Sequence, residues 1–426
     1  PRMSRAVTLR LLPCCLLFAS LTGCQQSGFK LPKFKGKDKP APSETTDASA
    51  AAPVPARTPE ESAFLGKCAT LGATSMTIAG LDGYFFSANE LQRLATLSDP
   101  ANTSLSTATA AIADYRDQLK RQGTELIFVP VPPKAIIFPD KIDKDLKIKV
   151  KGKRPARLDS ALQATYAALR AKGVQVIDPT DALLATRENK KLGPVFPRTA
   201  PVWSPRGAEV AAREIAQTLK GAPWANQSNK DGPLITEASV LNYAGTLTTG
   251  TAVSEALALR NIGRSADGKM RSVTFSQGGH PLALIGDHTI LAWREANNPA
   301  GATDAFASLA DQLAFEFQTT PDVFPGKTDG RNAARLRILR EATNGSNPVG
   351  SAKVVLWVVQ ATDLALSDWK QVPLRLSFNL SQPPVMLTPP VGLIPDSSSP
   401  PRPPEPPAAP GPAPSSGDPA LPQLPR

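Results

Sequence analysis

The chain has 426 residues, a formal net charge of +11 and only 2 histidines. A chain of this length can form two or three domains, but its composition is uneven, so the folded part is predicted to be shorter than the chain. The charge is basic, yet the basic runs lack interleaved aromatic residues. We therefore expect no nucleic-acid partner.

The segment 3–23 has the features of an export signal. Two arginines precede a short apolar run, Leu11 to Leu21, which is too short to span a bilayer comfortably. The run ends at Gly23-Cys24, in a Leu-Thr-Gly-Cys sequence that resembles a bacterial lipobox. This pattern predicts a lipoprotein signal peptide, cleavage before Cys24 and lipid attachment to that cysteine. The alternative is an ordinary signal peptide that contains a cysteine by chance.

The expected location follows from that signal. A lipidated Cys24 would hold the protein at a membrane in the periplasm, and Gln25 after it resembles the arrangement that favours the outer membrane of a Gram-negative cell. Five lysines between residues 30 and 39 would then lie beside anionic headgroups. Beyond Cys24 the only cysteine is Cys68, so no internal disulfide is expected. Cys68 is predicted to be a small buried hydrophobe, or else a thiol that pairs with another molecule.

Two segments are predicted to flank one folded domain. Residues 24–60 are rich in Lys, Pro, Ala, Ser and Thr and have too few large apolar residues to fold, so they are interpreted as a disordered tether. Residues 381–426 are Pro-rich and are interpreted as a disordered tail. The remaining residues, 61–380, are enough for one large core.

The pattern within 61–380 predicts alternating strands and helices. Strands are expected where apolar residues follow one another with little alternation, at 125–131, 174–178, 282–286 and 353–359. Helices are expected over a stretch that ends at Gln122, and at 158–172, 205–219 with Ser204 as N-cap, and 304–317 with Thr303 as N-cap. Strands separated by helices predict a three-layer α/β/α, flavodoxin-like fold with a mainly parallel sheet. Ligands of such sheets bind at the carboxyl ends of the strands.

A second basic patch lies inside the predicted domain. Eight lysines and arginines occur between Lys141 and Arg157. This patch could contact a polyanionic glycan, or it is a solvated surface loop. The composition does not decide between the two.

Six blocks resemble, in order, the alginate O-acetyltransferases of the AlgX/AlgJ-like branch of the SGNH-hydrolase fold. The blocks are Gly80–Phe86, Val131–Lys134, Gly173–Asp178, Ala200–Ala208, Gly286-Asp287, and Val354–Trp357 with Trp369 after it. The resemblance implies an SGNH-hydrolase-like domain in an exopolysaccharide O-acetylation system. It also implies a polysaccharide substrate and a membrane-bound O-acyltransferase partner that supplies the acetyl group, and no cofactor.

The resemblance further implies a Ser nucleophile, a His base and an Asp that orients the His. An unassisted hydroxyl is a weak nucleophile, so the His must accept its proton and the Asp must hold the imidazole. The three matching positions are occupied by Ala200 for Asp, Val202 for His and His288 for Ser. Ala and Val cannot do proton chemistry. The sequence therefore predicts a degenerate member that binds glycan or scaffolds the acetylation and export machinery.

Two alternatives remain open from the residues. One is an active O-acetyltransferase or acetylesterase with a site rebuilt around Asp287, His288 and Thr289, with Ser276 and His280 close in sequence. The other is a general envelope lipoprotein in which His288 and Asp287 are ordinary turn residues. No His or Cys spacing supports a metal site.

Three residues around the fourth block are candidates for substrate binding. Trp203 is predicted to pack in the core, or else to stack on a sugar ring in a cleft. Arg198 and Arg206, which flank it, are predicted to contact carboxylates or sulfates of a polymer, or else to be solvated.

Overall fold

The computed structural model of the protein describes residues 57–99, 101–152, 154–225, 232–248, 253–266, 269–294, 305–327, 329–343 and 346–374. The predicted signal peptide, Cys24, the tether as far as residue 56 and the Pro-rich tail lie outside these residues. Within the described ranges, no helix combines the length and the apolar character that crossing a membrane requires.

Helices and strands alternate through most of the described chain. The α-helices are α1 (Pro59–Gly72), α2 (Ala88–Leu97), α3 (Ser104–Lys120), α4 (Lys134–Ile137), α5 (Ser160–Ala171), α6 (Thr180–Ala185), α7 (Pro205–Leu219), α8 (Leu309–Phe317) and α9 (Ala333–Thr343). The strands are β1 (Thr77–Ala79), β2 (Phe85–Ser87), β3 (Glu125–Val131), β4 (Val150–Lys151), β5 (Arg154–Pro155), β6 (Gln175–Val176), β7 (Leu234–Ala244), β8 (Ser254–Ala266), β9 (Lys269–Ser272), β10 (Leu282–Gly286), β11 (Asp322–Pro325) and β12 (Val354–Gln360).

A five-stranded parallel sheet with the order β11-β10-β12-β3-β6 forms the centre of the domain. Its register places Leu284 opposite Leu356, and Leu356 opposite Ile127. These side chains are fully buried, as is nearly every other residue of β3, β10 and β12. Strands buried on both faces require a layer on each side of the sheet. The predicted three-layer α/β/α fold with a mainly parallel sheet is confirmed.

Three predicted elements have the observed bounds, namely the strands Glu125–Val131 and Leu282–Gly286 and the helix Pro205–Leu219. The helix begins as its sequence predicts, because the Ser204 hydroxyl accepts a hydrogen bond from the backbone N–H of Gly207 at 3.1 Å. The strand predicted at 174–178 is shorter in the structure. It lies at the sheet edge and pairs with β3 through Gln175 and Val176 alone.

The helix predicted at 304–317 begins later, at Leu309. Its N-cap is Ser308, whose hydroxyl accepts from the backbone N–H of Asp311 at 3.3 Å, while the Asp311 carboxylate accepts from the backbone N–H of Ser308 at 3.1 Å. This reciprocal capping box satisfies the N–H groups of the first turn and fixes the helix start at Leu309. The predicted cap, Thr303, lies outside the described residues.

A long antiparallel ribbon, which the sequence analysis did not predict, is inserted between α7 and β10. β7 pairs with β8 from Leu234 opposite Arg264 to Ala244 opposite Ser254, and β9 extends the same sheet. One end of the ribbon packs on the domain through Tyr243, whose ring lies 4.9 Å from that of Trp293 in an edge-to-face arrangement. The ribbon is therefore fixed next to the segment that contains the fourth resemblance block.

Candidate functional site

A cleft of about 300 Å³ lies at the carboxyl edge of the parallel sheet, where β10 and β12 end. Such edges are the usual binding sites of parallel α/β sheets. The cleft is lined by Ser87, Asn89, Glu90, Arg93, Pro201, Val202, Asp287, His288, Thr289, Gln360, Thr362 and Asp363. Two of the three positions identified through the resemblance, Val202 and His288, thus line one cleft, as do the candidates Asp287 and Thr289.

The turn after β10 forms one wall of the cleft. Asp287 caps a short 3-10 helix (His288–Leu291), and its Oδ1 accepts hydrogen bonds from the backbone N–H of Thr289 at 2.9 Å and from the Thr289 hydroxyl. Asp287 and Thr289 are buried, whereas His288 is exposed. Burial raises the pKa of the Asp287 carboxyl above its usual value. The acid and the hydroxyl therefore hold the turn together from inside.

Gly286 lets this turn pack closely on the next strand. A Cβ at this position would lie 2.7 Å from the carbonyl oxygen of Val358 and 2.7 Å from the Ile290 side chain. Any larger residue would push the turn away from β12, so the Gly-Asp pair recognised in the sequence has a packing requirement at its first position.

The opposite wall is positioned by a fully buried lysine. The Lys134 ammonium donates to the carbonyl oxygens of Phe85 at 2.7 Å, Arg198 at 2.8 Å and Ala200 at 3.1 Å, so all three of its hydrogens have an acceptor. Burial lowers the pKa of Lys134 to about 7, and the nearby Glu90 carboxylate opposes that shift. Lys134 belongs to a recognised block, but the sequence did not indicate which groups it would hold.

The same segment is held from the ribbon by Glu255. Its carboxylate accepts from the backbone N–H groups of Arg198 and Thr199, both at 3.0 Å, and from the Thr199 hydroxyl at 2.6 Å. Sequence reasoning missed Glu255, because nothing along the chain connects a strand residue to a segment 56 and 57 positions earlier. The loop that carries Ala200 and Val202 is thus fixed by one cation and one anion.

The structure places Ala200 and Trp203 in the interior. Ala200 is fully buried beside Tyr243 and Trp293, and does not line the cleft. Trp203 is only 1% exposed; its Nε1 donates to the carbonyl oxygen of Thr289 at 3.4 Å, and its own carbonyl oxygen accepts from Trp293 Nε1 at 2.7 Å. The indole joins the two walls of the cleft and has no open face for a sugar ring, which supports the packing interpretation.

The cleft also contains acidic groups that the sequence analysis did not single out. Arg93 pairs with Asp363 at 2.5 Å, yet burial raises the pKa of Asp363 to about 6. Burial likewise raises the pKa of Glu90 to about 7, although its carboxylate accepts from the backbone N–H of Ala135 at 3.1 Å. Their signal in the sequence was weak, because single charged residues on α2 and after β12 belong to no motif.

The described residues of the cleft contain no hydroxyl paired with an imidazole. The Thr289 hydroxyl donates to buried Asp287 and lies 3.4 Å from Gln360 Nε2, while the His288 ring makes no hydrogen bond to any described residue. The Ser-His-Asp relay that the resemblance implies needs an imidazole nitrogen within hydrogen-bond reach of the attacking hydroxyl. The described residues of the cleft can bind and orient a polar ligand, but they do not assemble that relay.

Ser276 and His280 do not join this cleft. They lie before β10 and beside the start of β11, at the amino edge of the sheet, whereas Asp287 and His288 follow the carboxyl end of β10. His280 Nδ1 lies 2.7 Å from Asp322 Oδ1 and 2.9 Å from Ser276 Oγ. Asp322 and Ser276 both contact Nδ1 of the His280 ring, whereas in a relay the acid and the nucleophilic hydroxyl contact different ring nitrogens. A single rebuilt site that includes both histidines is therefore excluded by the fold.

The two candidate arginines lie outside the cleft. The exposed Arg198 has its guanidinium 5.8 Å from the centre of the Tyr84 ring. Arg206 lies in the first turn of α7 and pairs with Glu209 at 2.6 Å. Among the described residues, no group of three or more His, Cys, Asp or Glu side chains is arranged to hold a metal ion.

Comparisons with known proteins show which proteins the chain is similar to. A family model described as an SGNH hydrolase-like domain, acetyltransferase AlgX, matches residues 77–287. "Probable alginate O-acetylase AlgJ" of Pseudomonas aeruginosa PAO1 is 31% identical over 144 residues, which are 34% of this chain and 33% of that protein. The Pseudomonas putida KT2440 protein of the same name is 31% identical over 172 residues, 40% of each chain. The match thus spans a third to two fifths of the length of these relatives.

Two solved structures are also similar. The O-acetyltransferase domain of Pseudomonas putida AlgJ has a TM-score of 0.47 at 23% identity, covering 68% of this chain and 92% of that one. Pseudomonas aeruginosa AlgX has a TM-score of 0.46 at 18% identity, covering 70% and 65%. With its parallel α/β sheet and its carboxyl-edge cleft, the chain carries an SGNH-hydrolase-like domain. Over residues 77–287, slightly less than half of its length, it is similar to the AlgX/AlgJ-like family.

Proposed function

We propose that this protein binds a polysaccharide in the carboxyl-edge cleft without transferring acetyl groups. One observation carries the proposal. Val202 and His288 line the same cleft at the positions where active members carry base and nucleophile, and neither has a described partner that could replace the relay. The cleft keeps the shape and polar lining of a ligand site, but it lacks the chemistry of acyl transfer.

An esterase assay tests the absence of chemistry. The purified protein is incubated with p-nitrophenyl acetate, and the O-acetyltransferase domain of Pseudomonas putida AlgJ serves as the active comparison. We expect no acetyl turnover above background, and no difference between the protein and its His288→Ala variant. Turnover that disappears in His288→Ala or Thr289→Ala would instead support the rebuilt-site alternative.

A binding assay tests the ligand class. The names of the relatives refer to alginate, a carboxylated polymer, and oligouronates are therefore the first probe, with a neutral glucan beside them. In isothermal titration calorimetry, Gln360→Ala is expected to weaken binding about tenfold, because its amide faces the cleft. The matched control is Gln92→Ala, an exposed glutamine on α2 that does not line the cleft. Equal affinity of both variants would place the glycan elsewhere.

The cellular setting is part of the proposal and rests on sequence features. The lipobox at Cys24 supports a lipid-anchored periplasmic protein at the outer membrane, and similarity to the family supports a place beside a membrane-bound O-acyltransferase in a polysaccharide acetylation and export system. Labelling with an alkyne fatty acid, compared between the natural chain and Cys24→Ser, tests the anchor. Deleting the gene tests the system, because unchanged polymer acetylation and export would favour a general envelope role.

A further inference from the structure

A groove that shares no lining residue with the cleft lies between the start of α7 and the β7–β8 ribbon. Its volume is about 440 Å³. Three parts of the chain form it, namely residues 191–192, the first turns of α7, and one face of the ribbon near Val240. The groove therefore exists only because the ribbon packs beside α7.

A cluster of five charged side chains, of which Arg206, Glu209 and Arg260 line the groove, carries excess positive charge. Glu209 pairs with Arg206 at 2.6 Å, Arg213 at 2.5 Å and Arg260 at 3.2 Å. Glu316 pairs with Arg260 at 3.2 Å and with Arg213 at 3.7 Å. Three guanidinium groups thus share two carboxylates. Arg-rich surfaces of this kind attract carboxylates of a partner.

The described part of the chain does not neutralise this excess. Lys191, which also lines the groove, is exposed and forms no ion pair with a described residue. The buried Nε of Arg206 has no acceptor among the described residues either. An anionic group placed at this rim would gain charge-assisted hydrogen bonds without displacing an existing ion pair.

The groove also exposes aliphatic side chains. Val240 is 70% exposed and Leu192 is 41% exposed. In the ribbon register Val240 lies opposite Ala258, and Ala238 lies opposite Arg260, so the valine and the arginine project from the same face. A ligand that covers this face needs both apolar groups and negative charge.

Two features select a polypeptide over a glycan. The described residues that line the groove include no aromatic side chain on which a sugar ring could stack. β7 is also an edge strand, 11 residues long, that pairs with β8 alone among the described strands. Its only charged residue is Glu237, and it contains no proline, so it lacks the usual protection against pairing with another chain. Its free edge can receive an extended segment.

We propose that this groove, with the adjoining edge of β7, binds an extended acidic segment of a partner protein. Carboxylates of the segment pair with Lys191 and Arg260, and its aliphatic side chains cover Val240. The site stands independently of the cleft, since no residue is common to the two.

Fluorescence anisotropy with the purified full-length protein tests the site. The probe is a labelled ten-residue peptide of alternating Glu and Val; a Lys–Val peptide and an oligouronate are the comparison ligands. We expect the Glu–Val peptide to bind, and Lys191→Glu and Val240→Asp each to weaken binding about tenfold. The matched controls are Lys190→Glu, at the adjacent exposed lysine, and Val150→Asp, at an exposed valine outside the groove; both should bind normally.

Because all four substituted side chains are exposed, the variants are expected to fold, and circular dichroism checks this. Binding of the Glu–Val peptide that is equal in all variants, or absent from the natural chain, would overturn the proposal. Equal binding of the Lys–Val peptide would do so as well. Binding of the oligouronate alone, weakened by the two groove variants, would make the groove a glycan site. The Gln360→Ala variant should leave peptide binding unchanged, because Gln360 does not line the groove. Failure of the cleft proposal can therefore be told apart from failure of the groove proposal.

Discussion

The Lys134 ammonium lies 3.1 Å from the carbonyl oxygen of Ala200, the residue at the position where the resemblance implies the orienting Asp. The backbone of this segment is thus positioned by a buried cation through its carbonyl oxygens, whatever side chain stands at position 200.

Removing this cation should destabilise the domain. Lys134→Met removes a donor from three carbonyl oxygens, of which that of Arg198 still accepts from the backbone N–H of Phe85, and we expect the free energy of unfolding to fall by about 2–4 kcal/mol. Urea unfolding measures the loss. Lys120→Met, at an exposed lysine on α3, is the control and should change stability by less than about 0.5 kcal/mol. Equal stability of the two variants would show that the three hydrogen bonds contribute little.

The buried acid beside that lysine should shape the pH dependence of stability. The pKa of Glu90 is raised from 4.5 to about 7 in the folded protein, so the folded state binds more protons than the unfolded chain between these values. The contribution of Glu90 to the free energy of unfolding is therefore largest below pH 4.5, and it falls as the pH rises to about 7. Glu90→Gln should reduce that fall by on the order of 2 kcal/mol in urea unfolding across this range.

Lys134 acts in the opposite direction above that range. Its folded-state pKa is lowered from 10.5 to about 7, so the unfolded chain binds more protons above pH 7 and this contribution to stability rises with pH. The pKa of Asp363 is raised from 3.8 to about 6. Part of the fall in stability between these pH values therefore remains in the Glu90→Gln variant. Glu125→Gln, at an exposed carboxylate, is the control for the loss of a charge. If the pH dependence of stability were the same in Glu90→Gln as in the natural chain, the raised pKa of Glu90 would be contradicted.

Placing an acid at position 200, where the resemblance implies the Asp of the relay, should be costly. Ala200→Asp would place a carboxylate in an apolar cluster with Tyr243, Leu257 and Trp293, and we expect a loss of about 2–4 kcal/mol by thermal or urea unfolding. Ala110→Asp, on the exposed side of α3, should cost no more than about 1 kcal/mol. A well-tolerated Ala200→Asp would mean that the cluster still has polar space for the lost acid.

Trp203 offers a test that separates packing from ligand contact. Trp203→Phe keeps an aromatic ring but removes the N–H that donates to Thr289, and we expect a loss of about 1–2 kcal/mol with oligouronate binding unchanged. Trp224→Phe, at a second buried tryptophan, is the matched substitution. A weakened glycan affinity in Trp203→Phe at unchanged stability would assign the indole to the ligand instead.

Much of the fold followed from local patterns. The continuous apolar runs of β3 and β10 predicted their bounds, because both faces of these strands are buried and no polar residue interrupts them. The start of α7 followed from Ser204 and Pro205, whose capping chemistry acts within one turn. The ribbon was missed although it comprises two strands of more than ten residues, because most of β7 is exposed and has no alternation to detect.

The sequence by itself determined the resemblance to the family and the parallel sheet, and it predicted that the relay side chains are missing at Ala200, Val202 and His288, since these depend on residue identity and local order. Tertiary structure alone decided which of these positions share a cleft, and that Trp203 and Ala200 lie beneath it. It also decided that Lys134 and Glu255 hold the segment, and that His280 is separated from His288 by the length of β10. The physical reason is that hydrogen bonds and burial join residues distant in the chain, which no local pattern records.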